Sequence, residues 1–196
     1  MQTLNTPMTE AEIRTALEQV GAILTGHFQL TSGRHSDTYV QCARILEDTA
    51  LTTRLAATAA ARLEGRTFDL VAAPAVGGII VGFAVAQALG LKFIFSEREE
   101  GVMRFRRSFE VPAEARVLIV EDVVTTGGSV AEVARLVREA GGEVGAVVSI
   151  IDRGGKKRFD EELISLLRLE VESWDPSECV HCRTGVPIDS PGSRRI

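Results

Sequence analysis

The chain has 196 residues, 45% of them hydrophobic and 25% charged, with a formal net charge of −5. That length and apolar content support one α/β domain with a sizeable core and a small subdomain, and the acidic balance argues against nucleic acid as a bulk partner. No apolar run is long enough to span a membrane, and the first residues lack a basic-then-apolar signal pattern, so the expectation is a cytoplasmic protein with no membrane partner.

Met1 to Met8 is polar and carries a proline, the pattern of a loose terminus. Thr9 with Glu10 and Glu12 after it predicts a helix N-cap. Ile13, Leu17 and Val20 form the apolar stripe of that helix, and Gly21 is its stop. Residues 22–41 read as two short strands, AILTGHFQL and DTYVQ, around the polar turn TSGRHS. His27 and His35 within it are expected to make structural hydrogen bonds. Residues 48–63 are alanine-rich and helix-forming, with Gly65 ending the run.

Asp69 to Ala73 predicts a strand, and Pro74-Ala75-Val76-Gly77-Gly78 a turn into an apolar helix over 79–89. Strand, glycine turn and helix together make an anion-binding geometry. Lys92 to Ser96 is a further strand. From Glu97 to Phe109 the pattern breaks into EREEGVMRFRRSF, a loop-like stretch holding Arg98, Arg104, Arg106 and Arg107. A charge run of this kind is ordinarily a solvated face.

The stretch VLIVEDVVTTGGSV, from Val117 to Val130, carries the most chemistry. Val117 to Val120 is a β-branched apolar run, the mark of a strand buried on both faces. Glu121 and Asp122 follow it. Thr125-Thr126-Gly127-Gly128-Ser129 then opens a helix to Ala140, whose stripe is Val130, Val133, Ala134 and Val137. Hydroxyls and glycines at a helix N-terminus cradle phosphate through backbone N–H groups and the helix dipole. A phosphate beside Glu121 and Asp122 would be repelled, so the acids require another part of the same ligand, one rich in hydroxyls or positive charge. A sugar phosphate satisfies both. The spacing fits neither GxGxxG of a dinucleotide site nor GxxxxGK[ST] of a nucleoside triphosphate site.

Gly141-Gly142 stops the helix and Val144 to Ile151 is a strand. Arg153 follows Asp152 at its carboxyl end, where α/β sheets face their ligands. Residues 159–169 form a short helix or a strand beneath the sheet. The tail CVHCRTGVPID holds a lone CxxC, Cys179 and Cys182. With Cys42 these make three cysteines and no disulfide framework, which fits a reducing compartment. Zinc would need two ligands beyond the pair, and only His181 is close in sequence, so the motif reads as structural or at most as a dimer-linked metal site.

The apolar strand, two acids, two valines and TTGGS closely resemble the signature of the type I phosphoribosyltransferases. GAILTGHFQLTSGRHSDTY is similar to the N-terminal segment of the orotate branch of that family. The resemblance implies the type I phosphoribosyltransferase fold, a mostly parallel central sheet flanked by helices. It implies an N-terminal hood over 1–45, an α/β core over 46–175 and a tail over 176–196. It implies transfer of ribose 5-phosphate from phosphoribosyl pyrophosphate (PRPP) to orotate with Mg²⁺, no metal held by direct protein ligation, and a homodimer. PRPP would be bound by Glu121, Asp122, Val123, Val124, Thr125, Thr126, Gly127, Gly128 and Ser129, and orotate by Thr125 and Arg153, with Ser32, Gly33 and Tyr39 near orotate or the subunit interface. Glu121 and Asp122 would favour the cationic ribose of the transition state. The orotate branch closes a mobile loop over its site and supplies a catalytic lysine from it. Here the chain holds three lysines, Lys92, Lys156 and Lys157, none in that loop. Arginine would fill the role, Arg98 first and Arg104 or Arg106 after it, since arginine offers a permanent charge and a bidentate fit to phosphate. Two further departures are Thr31, where many members have lysine, and Val76-Gly77, where a tyrosine–lysine pair is usual; pyrophosphate contacts there would come from backbone amides.

Overall fold

The computed structural model describes residues 6–30 and 32–191; Thr31 and the first and last five residues lie outside them. Helix α1 (Glu10–Gln19) is closed by a capping box. Thr9 accepts from the Glu12 N–H, and the Glu12 carboxylate accepts from the Thr9 N–H. Met8 is not part of a loose terminus: it is buried, and its N–H donates to Thr58 Oγ1 at 3.0 Å. A hairpin follows, β1 (Ile23–Gln29) against β2 (His35–Val40). A short α2 (Ala43–Leu46), which the sequence pattern does not announce, leads to α3 (Thr49–Arg62) with Asp48 as its N-cap.

The core alternates β3 (Leu70–Pro74), α4 (Gly77–Leu89), β4 (Lys92–Glu99), β5 (Val102–Phe105), β6 (Arg116–Val124), α5 (Gly128–Glu139), β7 (Glu143–Asp152) and β8 (Leu163–Arg168). The sheet order is β5-β4-β3-β6-β7-β8, parallel throughout except where β5 turns back on β4. The strands of such a sheet are buried on both faces, and Val117 to Val120 have no exposed surface. Burying each of these side chains fully contributes roughly 1.5–3 kcal/mol. Alternation sends Leu118 and Val120 to the face covered by α1, α3 and α4. Val117 and Ile119 go to the face covered by α5.

Three boundaries differ from the sequence pattern. Strand β6 runs on through Glu121 and Asp122 to Val124, because β7 offers it partners as far as Asp152. The arginine-rich stretch is a hairpin of β4 and β5, not a loop; its charges disguise a strand only four residues long. Residues 163–168 form the edge strand beside β7 and do not lie beneath the sheet. Among the described residues no helix is long and apolar enough to cross a membrane.

Candidate active site

Four parallel strands, β3, β4, β6 and β7, bring their carboxyl ends to one edge of the sheet, and the chemistry gathers there. Strand alternation separates the two acids. Asp122 points to the α4 side, and its carboxylate lies against the Cα of Gly77, so close that a Cβ there would stand 2.7 Å from Asp122 Cγ. Glu121 points to the α5 side and lines a cup of about 50 Å³ together with Thr125, Gly127, Gly128 and Ser129.

Each side has its own helix N-terminus. On the α5 side, Gly127 is the N-cap at φ 71°, a left-handed conformation glycine adopts without strain. On the α4 side, Val76 is the N-cap with no side-chain bond to the helix, leaving the first-turn N–H groups to a ligand. Gly78 allows the close seating of this turn, since a Cβ there would meet the Val120 carbonyl at 3.1 Å. Two anion-binding helix ends thus flank a pair of carboxylates.

Glu121 is only 9% exposed. Burial, with the Asp122 charge second, pushes its carboxyl well above the ordinary range. Asp122 Oδ1 accepts from the Val123 N–H at 2.7 Å, which fixes its orientation. Cys42 lies near both acids. Burial first, then Asp122 and Glu121, raise its thiol well above the ordinary value, which makes it a neutral packing group and no nucleophile.

Arg153 stands at the end of β7, its N–H donating to the Val124 carbonyl at 2.9 Å. Its neighbour Asp152 is engaged by Lys157. Arg153 Nε is buried with no hydrogen-bond partner among the described residues. Burial lowers its pKa, with Tyr39 of the hairpin and Cys42 acting the other way. A half-buried guanidinium with its Nε unpaired is costly unless an anion completes it.

The segment after β7 was missed by the sequence reading, since nothing in GGKKRF marks it as part of the glycine loop. Lys157 Nζ donates to the Thr125 carbonyl at 2.8 Å, and Arg158 N–H to the Thr126 carbonyl at 2.9 Å. Phe159 packs over Gly127, where a Cβ would meet its ring at 2.6 Å. Arg98, by contrast, is drawn to Glu132 on α5 and to the Gly101 carbonyl, one turn past the helix start. Arg104 and Arg106 pair with Glu99. Ser32 is exposed in the hairpin turn, while Tyr39 packs against Phe28.

A mostly parallel α/β sheet with two helix N-termini around a carboxylate pair at its switch edge is the arrangement in which enzymes of the open-sheet class bind sugar phosphates. The chain belongs to the phosphoribosyltransferase family: the phosphoribosyl transferase domain matches residues 43–178. It is 46% identical over 188 residues to the orotate phosphoribosyltransferase of Chlorobaculum parvum, covering 95% of this chain and 97% of that one. It is 50% identical over 177 residues to the orotate phosphoribosyltransferase of Chlorobium phaeobacteroides, 90% and 92% of the two chains. Among solved structures it resembles orotate phosphoribosyltransferase from Aeropyrum pernix, with TM-score 0.69 and 27% identity over 81% of this chain and 94% of that one. Adenine phosphoribosyltransferase from Thermoanaerobacter pseudethanolicus shares the fold, with TM-score 0.65 and 24% identity over 78% and 99%.

Proposed function

We propose that this chain transfers ribose 5-phosphate from PRPP to orotate, giving orotidine 5′-monophosphate and pyrophosphate for pyrimidine synthesis. The observation that carries the reading is the pairing of two helix N-termini around two carboxylates. PRPP has the matching shape, an anionic group at each end and a diol between them. The loop Thr125-Thr126-Gly127-Gly128-Ser129 takes the 5-phosphate on its backbone N–H groups, with Val123 and Val124 forming the strand end behind it. The Val76-Gly77-Gly78 amides take the pyrophosphate. Glu121 and Asp122 hold the ribose hydroxyls and favour positive charge on the ring as the leaving group departs, so catalysis is chiefly positioning and electrostatics.

Orotate carries a carboxylate, and the incompletely bonded Arg153 supplies its cation beside Thr125. Arg98 reaches the leaving pyrophosphate after giving up Glu132; an exposed pair of this kind is worth only roughly 0.2–1 kcal/mol, so the exchange is easily made. Glu121 and Asp122 offer carboxylate oxygens, the kind of donor Mg²⁺ takes, and the acids would hold that ion through ribose hydroxyls and water. When bound, Mg²⁺ neutralises charge on the leaving group. Val76, Ile80 and Phe83 leave an apolar stripe exposed along α4, which supports a homodimer formed through that face. The three free cysteines fit the cytoplasm.

The test is loss of orotate absorbance with PRPP and Mg²⁺, beside adenine, hypoxanthine and uracil followed by product chromatography. Turnover with orotate alone is expected, and Asp122→Asn is expected to cut it strongly. PRPP binding without turnover on any base would refute the reading.

A further inference from the structure

The two histidines of the hairpin and the two cysteines of the tail, distant in sequence, meet at one point. His27 Nε2 lies 3.1 Å from His35 Nδ1, 3.4 Å from Cys179 Sγ and 3.7 Å from Cys182 Sγ. Cys182 Sγ lies 3.2 Å from His35 Nδ1. The four atoms all fall within 4.8 Å of one another, and the cysteines form no disulfide. Around a tetrahedral zinc ion with ordinary bond lengths, nitrogen–nitrogen, nitrogen–sulfur and sulfur–sulfur edges are about 3.3, 3.6 and 3.8 Å.

The local structure aims these groups deliberately. β1 and β2 pair antiparallel with a register shift between Thr25 and Phe28, and Gln29 faces His35, so His27 and His35 are diagonal neighbours on one face. Cys179 is the N-cap of the short helix α6 (Val180–Arg183), which returns Cys182 to the same point. His27 Nδ1 is 2.8 Å from the Val186 carbonyl, which can only accept, so the ring proton sits on Nδ1 and the Nε2 lone pair faces the cluster. A metal-binding histidine is usually oriented this way. Hydrogen bonding alone does not satisfy the cluster: either His35 Nδ1–H takes the one Nε2 lone pair and a thiol proton is left over, or both thiols donate to the rings and two nitrogen lone pairs face each other at 3.1 Å. His27, His35 and Cys179 are buried; His181 is no fourth donor but stacks against the His27 ring, with ring centroids 5.4 Å apart.

We infer that His27, His35, Cys179 and Cys182 form a structural Cys₂His₂ zinc site within one chain, fastening the hairpin to the tail. Two thiolates and two imidazoles in a closed tetrahedron are the donor set zinc selects, and binding releases the two thiol protons. This corrects the sequence-based expectation of a CxxC with only His181 at hand.

The experiment measures metal in full-length protein made in zinc-supplemented medium and purified without chelator, then titrates the reduced, metal-stripped protein with Co²⁺. Expected are one zinc per chain and the intense visible absorption of thiolate-bound tetrahedral cobalt. Both should be lost in Cys182→Ser, kept in Cys42→Ser, and kept in His27→Cys, since three cysteines and one histidine also make a zinc site. A chelator should lower the melting temperature of the wild-type chain and leave that of Cys182→Ser unmoved. Wild-type protein that carries no zinc and stays colourless with Co²⁺, or that alkylation shows to hold a Cys179–Cys182 disulfide after purification, would overturn the assignment. The wild-type titration decides the matter even where a variant fails to fold.

Discussion

Gly77→Ala tests the site with a single methyl group. Gly77 opens α4, so alanine is welcome there by helix propensity, better than glycine by about 0.8–1.0 kcal/mol. The new Cβ would nevertheless stand 2.7 Å from Asp122 Cγ, where ordinary contact begins at 3.4 Å. The carboxylate must retreat by roughly 0.7 Å or more, and a displacement near 1 Å at a positioned group costs about 100-fold in rate. That is about 2.7 kcal/mol of transition-state stabilisation. The assay is steady-state orotate consumption at saturating Mg²⁺ beside a thermal melt. Expected is a kcat/KM lower by about two orders of magnitude with the melting temperature within a few degrees of wild type. The double variant with Asp122→Asn separates causes: if alanine acts by moving that carboxylate, it adds little once the charge is gone. Full activity in Gly77→Ala, or an undiminished further loss on the Asp122→Asn background, would refute the argument.

Other consequences follow from burial and charge. Arg153→Met removes the half-buried guanidinium and with it charge-assisted bonds of about 1.5–3 kcal/mol, so kcat/KM for orotate should fall about 10- to 150-fold with PRPP affinity kept; denaturant titration should find the fold no weaker. Glu121 holds its proton more tightly in the folded chain than in the unfolded one. Its contribution to stability is therefore full below the ordinary carboxylate pKa and is lost as pH rises through the raised folded value. Glu121→Gln should accordingly melt higher than wild type at neutral pH, lose that advantage in acid, and turn over poorly; a lower neutral-pH melting temperature would contradict the burial argument. Phe83→Asp places a charge in the exposed α4 stripe and should yield monomers by sedimentation, while a surviving dimer would move the interface elsewhere.

The parts legible in the sequence are those whose signal is local. VLIV, the acids and TTGGS lie within one strand–turn–helix, and a buried strand, a carboxylate pair and a glycine turn each leave their mark at short range. The separation of Glu121 and Asp122 onto opposite faces was not legible, because it requires β6 to continue to Val124, and that depends on β7. The β4–β5 hairpin was hidden because Glu99 pairs with Arg104 across it and Glu97 with Arg107 just beyond it, so charge runs on through both strands. Lys157, Arg158 and Phe159 reach the glycine loop through tertiary contact alone. The histidine–cysteine cluster was out of reach for the same reason, since no spacing rule links His27 to Cys179.

The hairpin of β1 and β2 is held by the other end of the chain on both flanks. His35 and Trp174 exchange two backbone hydrogen bonds, and the Asp189 N–H and the Gln29 N–H close a second pair across His27 and Asp189. A two-stranded hairpin alone is marginal in water. Its supporting partners, Trp174 and Asp189, lie far along the chain from it, and closing so long a loop carries an entropic cost that the contacts themselves must offset. β8 ends at Arg168, ahead of both partners, so every strand of the six-stranded sheet is synthesised before the hairpin has the residues that steady it.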